Sequence, residues 1–323
     1  MKSVARMFCV AVLLPGLAQA TTPAAAPPAA GSAADRSSAS QTQLDQVGRI
    51  VVPVMIDGKG PFRFLVDTGA DGSVISDRLA HQLGLVPPQS AGEQVEGTTG
   101  IERMPWVTIA ELRIGGIVRT NVRMPVTQSP VLAGLDGILG MAGFGDVQVA
   151  VDFRHNTVAI GPSRGLMWGY LDIPAQRTAG GLLMIPARVG GVKVEAVIDT
   201  GAEESLGNSA LKAALVRAAK KAAQTRVYGV TKQVTAGGVV QSPTIYLGSA
   251  AIRNLSIVYS DIPIFKTWHL DSRPALIVGM NVLGTVDALV LDYPRARVYL
   301  LPPEEIQPTV REKDVFFPWL GGG

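Results

Sequence analysis

The sequence predicts an all-β protein, mainly strands with short helices, in which two similar lobes are related by a pseudo-twofold axis. Short runs rich in Val and Ile recur along the chain, as is typical of strands. The 36 Gly and 22 Pro residues supply turns between such runs. Several sequence blocks also occur twice in the same order, which indicates an internal repeat. Each copy of the repeat is therefore predicted to form one lobe.

The repeat is carried by several matching sequence segments. The first is Asp-Thr-Gly-Ala followed by an acidic residue, at 67–71 and 199–203, where each Asp ends an apolar run and opens a tight turn. A second block pairs two apolar residues with a glycine and is followed by an Asp within an apolar strand. A hairpin signal containing glycine precedes the second block, and a strand ending in proline closes each half. In the first half these later segments lie at 112–117, 136–141, 149–153 and 158–162. In the second half they lie at 245–250, 275–284, 289–293 and 298–303.

The two Asp-Thr-Gly turns suggest a specific chemistry. Under the pseudo-twofold relation, the carboxylates of Asp67 and Asp199 face each other. Like charges at that distance cannot both ionise, so the pair shares one proton. One carboxylate can then activate a water while the other donates a hydrogen bond to a carbonyl. An ordinary turn is the alternative interpretation of a single Asp-Thr-Gly, because Asp and Gly are common in turns.

With these motifs the chain resembles a retropepsin-like aspartic protease with two lobes fused in one polypeptide. The resemblance covers roughly residues 46–303 and implies a bilobed acid-protease fold, with two β-barrel-like lobes and the active-site cleft between them. Residues 138–140 and 277–279 resemble the strand that passes beneath the catalytic loops. Residues 136–140 also resemble the pepsin version of this segment, and residues 74–85 resemble the short helix after the loop in bacterial periplasmic members.

The resemblance implies roles for individual residues. Asp67 and Asp199 would be catalytic, and the hydroxyls of Thr68 and Thr200 would each bond to the opposite loop. Glycines in the loops allow the backbone to approach the carboxylates, and those in the strand beneath leave room for the loops. The residues expected to support the active-site loops are Thr68, Gly69, Ala70, Thr200, Gly201, Ala202, Gly140 and Gly279.

Two further hairpins, at 94–101 and 226–231, are candidates for flaps over the site. A flap excludes water and hydrogen-bonds an extended substrate backbone. A plain surface hairpin is the alternative interpretation of each. The residues expected to form the flaps and bind substrate are Gly97, Thr98, Thr99, Tyr228 and Gly229.

The sequence departs from the retroviral pattern at one position in each half. Retroviral enzymes carry an Arg after the second glycine, which pairs with the acid after Asp-Thr-Gly-Ala. Here Met141 and Met280 take that place. We therefore expect Asp71 and Glu203 to lack that partner and to be solvated or to contact substrate. The duplicated Asp152 and Asp292 each precede a turn and are interpreted as turn residues.

The ends of the chain predict its destination. Residues 1–20 are typical of a secretory signal, with Lys2 and Arg6 before a short apolar stretch and a small-x-small cleavage site after Ala20. The protein is therefore predicted to be periplasmic or secreted. The expected divisions are a signal peptide at 1–20, a disordered Ala/Pro/Ser-rich linker at 21–46, an N-terminal lobe at 47–162, an inter-lobe connection at 163–181, a C-terminal lobe at 182–303 and a tail at 304–323. One longer helix is predicted at 208–224.

Composition limits the other function classes. Without Lys2 and Arg6, the 29 basic residues become 27 against 26 acidic ones, so the charge gives no argument for nucleic acid. The single Cys lies in the signal, and the three His residues have no metal-ligand spacing. No cofactor motif is present, so no cofactor or metal is expected, and no stable membrane anchor. The expected partner is a peptide or protein substrate, bound by a monomer because both Asp loops are in one chain.

Two functions remain open on the sequence. The first is an aspartic endopeptidase, and the second is a catalytically weak or inactive peptide-binding protein of the same fold. The unusual flap sequences and the missing Arg favour the second, whereas the presence of both Asp residues favours the first. A glycosidase with two carboxylates fits neither the duplication nor the symmetric loops.

Overall fold

The computed structural model describes residues 5–6, 10–13, 39–41, 43–45, 48–88, 92–141, 146–165, 167–178, 180–215 and 223–303. Most of the predicted signal peptide and linker, and all of the tail at 304–323, lie outside the described residues. Within the described part of the chain, no helix is long and apolar enough to cross a bilayer.

Strands dominate the described structure, which confirms the all-β prediction. In the N-terminal half they are β1 (Ala5–Arg6), β2 (Val10–Leu13), β3 (Ala39–Gln41), β4 (Gln43–Leu44), β5 (Ile50–Ile56), β6 (Lys59–Asp67), β7 (Val74–Ser76), β8 (Glu93–Gly97), β9 (Gly100–Met104), β10 (Trp106–Ile114), β11 (Ile117–Thr127), β12 (Gly137–Gly140), β13 (Val147–Asp152) and β14 (Thr157–Pro162).

The second half repeats this strand-rich pattern. Its strands are β15 (Leu171–Pro174), β16 (Gln176–Arg177), β17 (Leu183–Val189), β18 (Val192–Ile198), β19 (Leu206–Gly207), β20 (Ala223–Gly229), β21 (Val234–Gln241), β22 (Ile245–Leu247), β23 (Ala250–Ile252), β24 (Ser256–Tyr259), β25 (Ala275–Val278), β26 (Ala288–Asp292) and β27 (Arg297–Leu301). The described helices are short: α1 (Asp77–Gln82), α2 (Ser209–Ala214), α3 (Pro263–Thr267), α4 (Met280–Leu283) and a 3-10 helix at Pro130–Leu132.

The strands follow from their apolar patterns. In β17, every second side chain is buried from Leu183 to Val189, and Pro186 and Arg188 between them are exposed, as expected for a strand with one face on the core. In β6 the pattern changes along the strand. Its first residues are exposed, but the last four, ending at Asp67, are all buried. The strand therefore begins at the surface and ends in the interior, where Asp67 lies.

The two lobes have equivalent centres. In the first lobe, β12 lies between β6 and β7, parallel to β6 and antiparallel to β7. In the second lobe, β25 lies between β18 and β19 with the same two directions. The strand that resembles the one beneath the catalytic loops is therefore inserted beside the Asp-Thr-Gly strand in both halves. The two copies of the sequence repeat therefore form the same arrangement of three strands.

A third sheet joins the lobes. Its strand order is β15-β27-β26-β13-β14-β3. At its centre β13 from the first half pairs antiparallel with β26 from the second, with Ala150 opposite Val290. The predicted inter-lobe connection contributes β15 to this sheet, where Leu171 pairs with Leu300. The lobes therefore share continuous backbone hydrogen bonding.

The predicted helix at 208–224 is wrong in its extent. Asn208 caps α2 by accepting a hydrogen bond from the Leu211 N–H at 2.9 Å, but the helix ends at Ala214. Ala223 and Gln224 belong instead to β20, where they pair with Val239 and Gly238. The hairpin pairing overrides the helix propensity of the Ala-rich sequence. Residues 216–222 of the predicted helix lie outside the described residues.

Candidate active site

Each Asp-Thr-Gly loop is closed by its own aspartate. The Gly69 N–H donates to Asp67 Oδ1 at 2.9 Å. In the second lobe the Gly201 and Ala202 N–H groups donate to Asp199 Oδ1 at 2.9 and 3.1 Å. Both carboxylates are fully buried, with 0 % of their surface exposed. Because these N–H groups stabilise the ionised form, they offset part of the cost of burying each carboxylate.

The two loops meet face to face, as the sequence predicts. A Cβ placed on Gly69 would lie 2.3 Å from Asp199 Cγ, and one placed on Gly201 would lie 2.4 Å from Asp67 Cγ. Each carboxylate therefore packs against the glycine of the opposite loop. Any side chain at either glycine would displace a carboxylate, so this close approach requires glycine at both positions.

Two threonines connect the loops through reciprocal hydrogen bonds. Thr68 Oγ1 donates to the Ile198 carbonyl at 3.0 Å and accepts the Thr200 N–H at 3.0 Å. Thr200 Oγ1 donates to the Val66 carbonyl at 2.7 Å and accepts the Thr68 N–H at 3.2 Å. All four bonds are buried and cross from one lobe to the other. They match the locking role that the resemblance implies for both threonines.

Gly140 and Gly279 lie directly beneath the loops. A Cβ on Gly140 would lie 2.1 Å from the Gly72 carbonyl oxygen, and one on Gly279 would lie 2.7 Å from the Glu204 backbone. The residue after each glycine donates its N–H to the loop alanine: Met141 to the Ala70 carbonyl and Met280 to the Ala202 carbonyl, each at 2.8 Å. The strand glycines and the loop alanines therefore fit together in both lobes.

Two serines that were not predicted from the sequence also hold the glycines beneath the loops. Ser73 Oγ accepts the Gly140 N–H at 3.2 Å, and Ser205 Oγ accepts the Gly279 N–H at 3.0 Å. Each serine lies six residues after its aspartate, so the repeat itself carried the signal. In the second lobe Asn281 adds a further contact, because its Oδ1 accepts the Ser205 hydroxyl at 2.7 Å.

Known protein families include one that matches both halves of the chain. A protein-family model described as aspartyl protease matches residues 52–142 and 185–282, which together exceed half of the chain. The chain belongs to the aspartyl protease family. Each matched region contains one Asp-Thr-Gly loop and the glycine strand beneath it. No curated protein sequence matches the chain significantly.

The electrostatics of the two aspartates suit an aspartyl protease. The pKa of Asp199 is raised well above its usual value, first by burial and then by the negative charge of Asp67 and a hydrogen bond with that residue. The Gly201 and Ala202 N–H groups act in the opposite direction and lower this pKa. A raised pKa at one carboxylate beside another is the condition under which a pair retains one proton.

The acidic residues that follow the loop alanines, Asp71 and Glu203, are half-buried, whereas the sequence led us to expect them to be solvated or to contact substrate. Arg49 is buried in the first lobe, where its guanidinium binds the Asp45 carboxylate at 2.7 Å and the Val131 carbonyl at 3.1 Å. Its charge lowers the pKa of Glu203 in the second lobe. Glu203 lacks the Arg partner at position 280, as expected, but its carboxylate is influenced by the charge of Arg49 from the other half of the chain.

Asp71, the first-lobe counterpart of Glu203, also lies against the opposite half. A Cβ on Gly180 would lie 3.5 Å from Asp71 Oδ2, which places this carboxylate beside the chain that enters the second lobe. Both acids are half-buried. They therefore belong to the contact between the lobes.

Burial dominates at Glu203 and raises its pKa from 4.5 to about 7, with Glu204 and Asp45 adding to the rise. The group thus binds its proton more tightly in the folded chain than in the unfolded chain. This contribution to stability is complete below about pH 4.5 and is lost as the pH rises through about 7.

We expect the melting temperature to fall between pH 4.5 and pH 8, and Glu203→Gln to reduce that fall. Because the carboxyl group is partly exposed, we discount its contribution to about 1 kcal/mol, or about 2–4 °C. Thermal unfolding of both proteins across this pH range measures the effect. Equal pH dependence in the variant and the wild type would contradict the assignment.

The two predicted flaps meet at their tips. The β8–β9 hairpin turns at Thr98 and Thr99, and the Thr99 hydroxyl lies 3.1 Å from that of Thr231 in the turn of the β20–β21 hairpin. Beside this contact, Glu102 accepts the Lys232 N–H at 2.7 Å, and Gln233 Nε2 donates to the Ile101 carbonyl at 3.0 Å.

The flap turn residues are buried in the structure. Thr98 is 0 % exposed and Thr99 4 % exposed, which is unusual for the tip of a surface hairpin. The interpretation as plain surface hairpins is therefore disfavoured.

Each hairpin is also attached to the opposite lobe. From the first lobe, Thr127 donates to the Val230 carbonyl at 3.1 Å and Ser129 donates to the Gly229 carbonyl at 2.7 Å. From the second lobe, the Thr267 hydroxyl donates to the Glu96 carboxylate. Of the remaining predicted flap residues, Gly97 pairs with Gly100 at the end of its hairpin, and Tyr228 pairs with Val234 within the second hairpin.

The duplicated Asp152 and Asp292 each end a strand and precede a turn. Asp152 accepts the His155 N–H at 3.0 Å and Asp292 accepts the Arg295 N–H at 3.2 Å, which confirms their interpretation as turn residues. Among the described residues, no group of three or more His, Cys, Asp or Glu side chains could hold a metal ion.

Proposed function

We propose that this member of the aspartyl protease family is an aspartic endopeptidase in which Asp67 and Asp199 form the catalytic dyad. The observation that carries the proposal is the reciprocal packing of each buried carboxylate against the glycine of the opposite loop. Two carboxylates held this close together and away from bulk solvent would share one proton, which supports the proposal.

In the proposed reaction, the ionised carboxylate takes a proton from a water whose oxygen attacks the carbonyl carbon of the peptide. The protonated carboxylate donates a hydrogen bond to the carbonyl oxygen and then its proton, which gives a neutral tetrahedral intermediate. The carboxylate that took the water proton then donates it to the amine nitrogen, while the other carboxylate takes a proton from a hydroxyl of the intermediate. The C–N bond breaks, the carbonyl of the new acid forms, and the dyad again holds one proton. No covalent bond forms between the protein and the substrate.

The partner of this site would be an extended segment of a peptide or protein. Because both loops lie in one chain and the inter-lobe sheet is continuous, the proposed active form is a monomer. The N-terminal sequence supports a periplasmic or secreted location, with cleavage after Ala20. No metal or other cofactor takes part in the proposed mechanism.

A second candidate, a peptide-binding protein with little or no turnover, is favoured by the flaps. They are hydrogen-bonded to each other and to the opposite lobes, so these contacts must break before the cleft admits a chain. A peptide library incubated with the wild type and with Asp67→Asn distinguishes the two functions. Cleavage by the wild type alone supports the endopeptidase, whereas binding by both proteins without cleavage supports the second candidate.

The activity of the proposed enzyme should follow a bell-shaped pH profile. The dyad titrates as one unit, so turnover falls at low pH when both protons are bound and at high pH when both are lost. Since burial and the charge of Asp67 raise the pKa of Asp199, the alkaline limb lies above the usual range of an aspartate, and the maximum lies at mildly acidic pH. Initial rates between pH 3 and pH 9 test this profile. A plateau that persists above pH 8 would contradict a shared-proton dyad.

A further inference from the structure

A groove of about 710 Å³ lies on the second lobe, and no residue of the Asp-Thr-Gly loops or of the flap hairpins lines it. The groove lies where two sheets meet. One side is formed by Pro174 and Ala175, where the inter-lobe strand β15 ends, and the other by β17 and β18 of the second lobe. An occupant of this groove would therefore contact the inter-lobe sheet and the second lobe together.

The groove combines an apolar surface with a cationic rim. Apolar side chains of Met184, Pro186 and Val194 line it, and its volume lies in the range of sites that bind drug-sized groups. The rim carries Arg188, Lys193 and Arg273, all exposed. The carboxylate of Glu195, which also lines the groove, lies 3.6 Å from the guanidinium of Arg273. Because the lining has three cations and one anion, its net charge is plus two.

We propose that this groove is the docking site of the chain's own C-terminal residues 316–320. That segment reads Phe-Phe-Pro-Trp-Leu and lies outside the described residues. Aromatic side chains bury a large apolar area for each residue fixed, so a segment of this composition gains much by entering an apolar groove. The Tyr246 ring, which Arg188 covers at 4.8 Å, offers an aromatic surface at its wall.

The chain is long enough to reach the groove. Pro174 at the groove pairs with Arg297 in β27, six residues before the described chain ends at Pro303. At about 3.3 Å for each residue of a strand, that end lies about 20 Å from the groove. The twelve residues 304–315 can span about 40 Å when extended. They therefore cover the distance with enough length to reverse direction.

The charge of the connecting residues is complementary to the rim. Residues 304–315 contain four acidic and two basic side chains, a net charge of minus two. They would pass over a rim with two net positive charges. Opposite charges of this kind favour one docking position over others on the surface, and their effect weakens as salt rises. Docking in this position would connect the second lobe to the inter-lobe sheet.

Fluorescence quenching in the full chain tests the proposal, because the docking segment contains Trp319, one of four tryptophans. Subtracting the emission of Trp319→Phe from that of the wild type isolates the signal of Trp319. Because a groove of this kind buries about 70–90 % of an occupant's surface, acrylamide should quench Trp319 about threefold less efficiently than free N-acetyltryptophanamide. Arg188→Glu with Lys193→Glu should restore efficient quenching. Lys59→Glu, an exposed cation of the first lobe, is the matched control and should leave quenching unchanged.

Three outcomes overturn the proposal. One is a Trp319 that is quenched as efficiently as the free compound in the wild type. Another is full protection in the double Glu variant, which would place the segment elsewhere. Protection that disappears on dilution would show that the segment docks on a second copy of the chain. Circular dichroism of each variant separates these outcomes from loss of the fold. The side chains of Lys59, Arg188 and Lys193 are exposed, so their substitution should leave the fold intact.

Discussion

We expect Asp67→Asn and Asp199→Asn each to abolish peptide hydrolysis while leaving the fold intact. Asn keeps the size of Asp but cannot exchange the proton that general acid–base catalysis requires, a contribution of about 10²–10⁴-fold in rate. Since each proposed proton transfer needs both carboxylates, either single variant should lose at least that factor, and the double variant little more. Initial rates on one cleaved peptide, with circular dichroism and thermal unfolding on the same samples, measure both parts of the prediction.

The repeat offers a matched control. Asp152 is also a buried, duplicated aspartate, but it accepts hydrogen bonds from His155 in a turn. Asp152→Asn should therefore retain the catalytic rate at a temperature where the variant is folded. If either dyad variant keeps near wild-type turnover, or if Asp152→Asn loses turnover as fully as they do, the assignment of the dyad is wrong.

The second large effect concerns the connection between the loops. Thr200→Val removes a hydroxyl that donates to the Val66 carbonyl and accepts the Thr68 N–H. The Val66 carbonyl and the Thr68 N–H are both buried, and leaving each without its partner costs about 1–3 kcal/mol. The free energy of unfolding should therefore fall by about 2–6 kcal/mol. For a domain of this size the melting temperature falls by roughly 5–15 °C.

Thr200→Ser separates this hydrogen bonding from simple packing. Serine loses the methyl group but keeps the hydroxyl, so its loss of stability should be clearly smaller than that of valine. Urea unfolding of the wild type and both variants provides the free energies, and the rate on a peptide below saturation reports whether the loops remain aligned. Equal destabilisation by serine and valine would remove the role assigned to the hydroxyl.

Local sequence signals predicted much of the site. Asp67, Thr68 and Gly69 form one loop, and the equivalent residues form the other because the repeat places the same chemistry on equivalent strands. The glycines beneath the loops were also predictable, because a glycine in an apolar strand marks a close approach of another backbone. Ser73 and Ser205 carried the same repeat signal and could have been found by comparing the two halves position by position.

Contacts that cross between the lobes could not be predicted in this way. Arg49 acts on Glu203 across 154 residues of chain, and nothing near either residue in the sequence indicates the other. The flap tips are similar, since the Thr99 contact with Thr231 depends on how two hairpins from different lobes are oriented. The extent of α2 was mispredicted for a different reason. Ala223 pairs with Val239 in a hairpin of the same lobe, and that pairing overrides the helix propensity of the Ala-rich sequence.

The fusion of the lobes, visible in the pairing of β13 with β26, has a consequence for recognition. In a symmetric dimer, one substitution alters both subunits together, so the two ends of the cleft remain identical. Here the two halves of the chain differ. Glu203 in the second half corresponds to Asp71 in the first. At the flap tips, Thr231 and its neighbour Lys232 face Thr99 and its neighbour Gly100. A peptide has a direction, from its amino end to its carboxyl end. A cleft with two different ends can read that direction, whereas a cleft with identical ends accepts a peptide either way round.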